Sequence, residues 1–407
     1  MILQEAREAW ANLAGFRKNR DRCRNYTFGR QWSDPVSTDS GIMSEYEYIV
    51  REGNVPLKNN LIRRIVRNVL GVFRKQLPDL MLPYFSEIPE VAETNSLEEL
   101  FTRTMEEYII SGMAVHRKSF GLSDGRRGVR TDIVSPSTFF FTPSAHDLRG
   151  RDIDIIGQFH DVDFRQWCLE MVKTRADYNA ARRLFKDEHR KLRVTEIWRK
   201  EVKFSGSSPI MVWRYYFYAD DGRLLCRGDS PYLHGSHPYV VRCYPFLDGE
   251  IQSLVADMID QQRYANRLIT LYDWVVRSSA KGVLLLPEGA VPTSQLQAVA
   301  DQWGKFNGVI VYRAQDGVPA PQQVSSNSAN MGISQLLEIQ LKMLEDVSGV
   351  NGALQGNLAA SSVSGKLYSQ QTENSLNSLS DLLHSFGCFI ADSFDKDLSL
   401  HRQMSAK

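Results

Sequence analysis

Apolar residues three and four positions apart mark a first helix over residues 2–24, through Ile2, Leu3, Ala6, Trp10, Leu13 and Ala14. Residues 31–56 break this rhythm with Pro35, Gly41, Gly53 and Pro56 and read as a polar, turn-rich stretch. Helical spacing returns over 57–77 (Leu61, Ile65, Val69, Phe73) and over 96–111, where Ser96 and Glu99 form a capping signature. The period then changes. Val115–Gly121 and Val129–Val134 read as strands joined at Asp124-Gly125. A helix over 163–190, with a break near Lys173, precedes strands at 194–204, 210–219 and 223–227; Asp221-Gly222 turns the last pair. Residues 228–250 read as a Pro/Gly/His loop region.

One stripe, from Ile251 through Leu254, Met258, Ala265, Leu268 and Tyr272 to Val275 and Val276, predicts a rod of roughly 28 residues, about 40 Å long. That is long for a globular helix. A strand at 282–286, a helix at 294–306 capped by Ser294, and a strand at 308–313 follow as a compact unit. Leu296, Val299, Ala300 and Trp303 form the inward face of its helix. A polar connector (318–330) leads to a helix over 333–348. The segment GVNGALQGNLAASSVSG (349–365) has little to bury, and a final helix covers 366–400.

Charge and cysteine usage narrow the function classes. The 407 residues carry 49 Lys/Arg against 48 Asp/Glu, a net charge of +1, which argues against tight nucleic-acid binding. It leaves room for a surface past which DNA slides. The basic run Arg17, Lys18, Arg20, Arg22, Arg24 reads either as a solvated face or as phosphate contact. Cys23, Cys168, Cys226, Cys243 and Cys388 are scattered and odd in number, which predicts a reducing compartment rather than a disulfide framework. The most apolar run, Val283–Leu286, is too short to span a bilayer, and a soluble protein is expected.

Catalytic signatures are sparse. Ser364-Gly365-Lys366-Leu367 resembles the end of a phosphate loop, but no hydroxyl residue follows the lysine and Ala360 stands where the first glycine belongs. His234 and His237, with Cys226 and Cys243, match no standard zinc spacing. Asp152, Asp154, Asp161 and Asp163 are the strongest enzymatic candidates, because two-metal nucleases need convergent carboxylates. Their alternation with Ile153, Ile155 and Ile156 favours the polar, solvated face of a strand. No catalytic residue, metal or cofactor is therefore assigned.

The order of parts from Ile251 onward resembles the core of bacteriophage portal proteins, the head-to-tail connectors, and in particular those of short-tailed phages. Two motifs carry the likeness: Asp260-x-Gln262 with Asn266, after the Pro-containing approach Val240–Leu247, and Val347-Ser348-Gly349-Val350-Asn351 with Leu354-Gln355-Gly356, then Ser364-Gly365 before Gln370-Gln371. The resemblance implies an α+β, mainly helical portal-type fold with a β-rich wing, long stem helices and a small αβ clip. Its parts would be an N-terminal helix (1–30), a wing (31–250), a stem helix (251–280), a clip (281–327), a returning stem helix (328–348), a tunnel loop (349–364) and a core helix toward the crown (365–407). Against that resemblance, little sequence follows the last helix, and a truncated or minimal crown without the family's long C-terminal barrel is the expectation.

Functionally, the resemblance implies a non-enzymatic ring subunit, usually one of twelve, at the capsid vertex of the virion, assembled in the host cytoplasm. The ring would pass double-stranded DNA during packaging and ejection and would meet the terminase motor, capsid or scaffolding protein and a head–tail adaptor, but no membrane. Asn351, Asn357, Ser361, Ser362, Ser364 and Lys366 are the DNA-channel candidates. Leu254, Met258, Ala265, Leu268, Tyr272 and Val275 are the subunit-packing candidates. A metal-dependent nuclease or other packaging enzyme, and a capsid-associated adaptor or scaffold without a channel, are the alternatives.

Overall fold

A computed structural model describes residues 1–39, 41–123, 126–142, 145–147, 152–172, 174–185, 191–206, 208–281, 283–285, 293–304, 322–324, 332–350 and 365–406. The first predicted helix is two, α1 (Ile2–Asn12) and α2 (Ala14–Thr27), which meet at Leu13. The stretch expected to be irregular holds a hairpin, β1 (Pro35–Thr38) and β2 (Gly41–Ser44), and α3 (Glu45–Arg51). Ser44 and Glu47 form a reciprocal capping box at the start of α3, a local signal that the turn residues around it obscured.

Next come α4 (Leu61–Leu80), α5 (Leu82–Glu87), α6 (Pro89–Thr94) and α7 (Leu97–Ser111). Ser96 precedes α7 as expected, but its backbone is left-handed (φ 49°) and its side chain makes no capping bond. Strands β3 (Met113–Ser123) and β4 (Arg126–Ile133) pair in antiparallel register up to Ser123↔Arg126. The predicted turn residues Asp124-Gly125 lie outside the described residues. Strands β5 (Phe139–Phe141) and β6 (Ile155–Val162) lead to α8 (Phe164–Met171) and α9 (Arg175–Leu184). Asp163 caps α8 and Thr174 caps α9, which fixes the break the sequence placed near Lys173.

The aromatic strands are β7 (Leu192–Ser205), β8 (Ser208–Ala219) and β9 (Leu224–Asp229). The Pro/Gly/His region conceals β10 (Tyr239–Cys243), followed by the short pair β11 (Phe246–Leu247) and β12 (Glu250–Ile251). Helix α10 (Leu254–Lys281) has 28 residues, and β13 (Val283–Leu285) follows it. A 3-10 turn, Thr293–Gln295, opens α11 (Leu296–Gly304). Ser294 therefore sits inside that turn rather than at a cap, and Leu296 is exposed where an inward position was expected; Val299 does turn inward. Strand β13 pairs with β14 (Gln322–Val324), which lies in the supposed connector; the strand expected at 308–313 lies outside the described residues. Helices α12 (Ile333–Ser348) and α13 (Gly365–Ser405) complete the chain.

These elements form two compact units. The first comprises residues 1–34, 60–262 and 343–407; the second comprises 35–59 and 263–342. In the first, β10-β3-β4 form one antiparallel sheet and β5-β6-β7-β8-β9 another. Its core is an aromatic junction of α4, α7 and α13, in which Phe73 and Tyr108 pack against Phe386, and Phe101 packs against Phe389.

Strand β3 is buried on both faces through residues 113–119 although it carries His116, Arg117 and Lys118. Burial keeps the His116 ring neutral, whereas the Arg117 and Lys118 charges persist in the core because they are paired. Alternation sends them to opposite partners. Lys118 donates to Asp397 of α13 at 2.5 Å and to Thr131 at 3.0 Å, while Tyr84 donates to the same aspartate. Arg117 meets Glu196 of β7 at 2.9 Å, and Trp198 donates to that carboxylate at 2.8 Å. Burial alone would push the Glu196 carboxyl up, but Arg117 and His160 hold it well below the usual range. These ion pairs join the three-stranded sheet to a helix on one side and to the larger sheet on the other.

Helix α13 is fastened further along its length. Arg242 meets Asp392 at 2.6 Å, Lys396 donates to the carbonyls of His237 and Tyr239, and Gln403 bridges Leu233 and Pro231.

In the second unit, the β1–β2–α3 segment docks on α10. Glu45, 2% exposed, receives Arg263 and Arg267, and Thr270 accepts from the Leu57 amide at 3.1 Å.

Candidate channel and assembly site

The first motif of the family resemblance sits where a helix begins. The opening amides of any helix have no partner within it. Gln262, fully buried, offers its side-chain oxygen to the amides of Leu61 and Ile62 at 3.0 and 3.2 Å. Asn60 caps the same helix by accepting from Arg63, and it donates to the Thr27 carbonyl. Three α4 amides are thus satisfied, two of them by a residue 200 positions away. Asn266, one turn after Gln262 and equally buried, accepts from the Asn59 amide at 3.2 Å. Asp260 stays exposed, 4.0 Å from Arg22. The spacing Gln262–Asn266 places both amides on one face of α10, where each secures incoming backbone.

The second motif ends a helix. Ser348 donates to the Glu345 carbonyl and accepts from the Val350 amide, while Val350 is fully buried. Gly349 lies at φ +68°, and a Cβ there would come within 2.3 Å of the Ser378 oxygen. That position therefore needs glycine both for its backbone and for the close approach of α13. The tunnel-loop candidates Asn351, Asn357, Ser361, Ser362 and Ser364 lie outside the described residues, and Lys366 is placed only as a residue of α13.

The stem candidates divide by burial. Met258 (0% exposed), Ala265 (2%) and Leu268 (5%) are buried within the protomer and offer no surface to a neighbour. Leu254 and Val275 are half-buried; Tyr272 is exposed. The outward apolar surface of α10 is instead Leu271, Tyr272, Trp274 and Val276, and Leu336 and Ile339 are exposed on α12. Leu271 and Trp274 fall off the main stripe, so periodicity did not single them out. Their size was the available signal, because a Trp on a polar face needs a reason.

The alternative chemistries find little geometry. Asp152 accepts from the backbone amides of His146 and Asp147; burial opposes ionisation there, but these bonds outweigh it and lower its pKa. Asp163 caps α8 at 2.8 Å, Asp161 pairs with Arg193 at 3.4 Å, and Asp154 is exposed. The Nδ1 atoms of His234 and His237 accept from the amides of Ser236 and Tyr239, and burial pushes the Cys226 and Cys243 thiols up to about 12. Among the described residues, no group of three or more His, Cys, Asp or Glu could hold a metal ion. No helix among them is long and apolar enough to cross a membrane. The basic run of α2 is partly internal: Arg20 is buried against Glu107 at 2.6 Å, Arg22 meets Asp34, and Arg17 stacks over Trp10.

No curated protein matches the sequence. The family model described as phage P22-like portal protein matches residues 3–404, nearly the whole chain. With its α+β architecture, its long helix bearing Gln262 and Asn266, and its Ser348-Gly349-Val350 helix end, the chain belongs to the P22-like family of phage portal proteins.

Proposed function

We propose that copies of this chain close into a ring at the capsid vertex and form the channel through which double-stranded DNA is packaged and ejected. The observation that carries this reading is the family match across residues 3–404. Portal proteins are structural rather than enzymatic virion components, and the family implies a homo-oligomeric ring that meets capsid, DNA and terminase. In the finer reading, α10 and α12 are the stem helices, residues 281–327 the clip, 349–364 the tunnel loop, and the ring has twelve subunits. Copies associate head-to-tail, a heterologous contact that closes when the rotation divides a full turn.

The exposed apolar side chains of α10 and α12 support that reading, since large solvent-facing hydrophobics mark interaction surfaces. The near-neutral net charge suits a channel that must not grip its DNA, because each added phosphate contact strengthens binding. Asn351, Asn357, Ser361, Ser362, Ser364 and Lys366 are the proposed lumenal groups. The terminase motor would supply the work, and a head–tail adaptor and capsid or scaffolding protein would dock outside. Deleting residues 351–362 tests the loop assignment. Rings should still form by electron microscopy while DNA packaging in a reconstituted terminase assay falls; loss of rings would overturn it.

A further inference from the structure

The hairpin of β7 and β8 outruns its sheet. Strand β6 pairs with β7 only as far as Ile155↔Arg199, and β9 pairs with β8 only as far as Arg214↔Asp229, yet the hairpin register continues to Ser205↔Ser208. The ribbon beyond those points, about five residues per strand, reaches roughly 17 Å past the sheet.

Its two faces differ. Strand alternation and the pairs Val202↔Met211 and Phe204↔Pro209 place these four side chains on one face. Val202 is 60% exposed, Phe204 70% and Met211 61%, and Pro209 is exposed as well. The face carrying Glu201 and Lys203 is a neutralised ladder: Lys203 meets Asp229 at 2.7 Å, Arg214 meets both Asp229 and Glu201, and Tyr216 donates to Glu201. The charges are matched within the chain, and what remains outward is apolar.

We propose that this ribbon is an assembly arm whose Val202–Phe204–Met211 face packs onto a second copy of the chain. The inference rests on the ring reading above and adds a contact site to it. Lys200 lies over the Trp213 ring at the base of the apolar face, and beyond it that face offers no charge to recognise an acidic or basic partner. Four side chains are also far fewer than the roughly 20–30 residues a side of a free-standing interface. Such a patch cannot hold an isolated pair, but it suits one repeated contact within a larger interface, which ring closure supplies once per subunit.

The test uses the full-length protein, with assembly followed by mass photometry and electron microscopy. Because Phe204 is exposed, Phe204→Asp should leave the unfolding midpoint of the monomer unchanged. It should raise the concentration needed for half-assembly at least about tenfold. In parallel, a cysteine introduced by Phe204→Cys, read by peptide mapping after maleimide treatment, should label at least about tenfold more slowly in rings than in monomers. Unchanged assembly of F204D, or equal labelling of F204C in rings and monomers, would overturn the arm while leaving the ring reading intact. A wild-type chain that stays monomeric at every concentration would overturn both.

Discussion

At the level of single residues, buried polar side chains do most of the specifying. Gln262 satisfies two α4 amides that no helix can satisfy for itself, so Gln262→Ala leaves buried donors unpaired. The expected loss is about 1–3 kcal/mol of monomer stability, read from the urea midpoint at constant m-value. Lys396 gives a pH signature. Burial lowers its pKa to about 7, against a smaller opposing pull from Asp392. Between about pH 7 and the ordinary lysine range, the unfolded chain then binds the proton that the folded chain has released. Stability therefore rises with pH through that window, and this contribution is lost as pH falls toward 7. Lys396→Met should flatten the slope of unfolding free energy between pH 7 and 10 relative to wild type; an unchanged slope would refute the assignment. None of this chemistry was legible beforehand. Arg117, Lys118, Glu196 and Asp397 look like surface charges in a sequence, and only the strand and helix that bury them reveal the pairing.

Elements were more legible than residues wherever period and length agreed. The rod of α10, the bounds of α12 and the strands β7 to β9 follow from spacing alone, because one buried face imposes its period on the chain. The misses share a cause. The hairpin β1–β2, helix α3 and strand β10 are short and lie among Gly, Pro and His, where turn chemistry masks a few residues of regular structure. The break at Leu13 has no proline or glycine to announce it. The apolar stripe of α10 was legible from spacing, but much of it is buried within the protomer, while Leu271 and Trp274, which lie off it, are exposed. Trp274→Asp should accordingly leave the monomer folded by circular dichroism and raise the half-assembly concentration at least about tenfold. Assembly equal to wild type would remove α10 from the subunit contact.

For the whole molecule, composition set the class and order set the family. A balanced charge and the lack of a recognised catalytic motif moved weight toward a structural role, and two short motifs about 85 residues apart placed the chain among portal proteins, as the family match does. The structure supplies the physical reason for those motifs: one secures the start of α4, the other ends α12 against α13. The carboxylate run that tempted an enzymatic reading is spent on a loop, a helix cap and a surface ion pair. The most direct measurement is electron microscopy of the purified full-length chain across a concentration series. The account predicts closed rings with an open central channel; particles that remain single subunits at the highest concentration would contradict it.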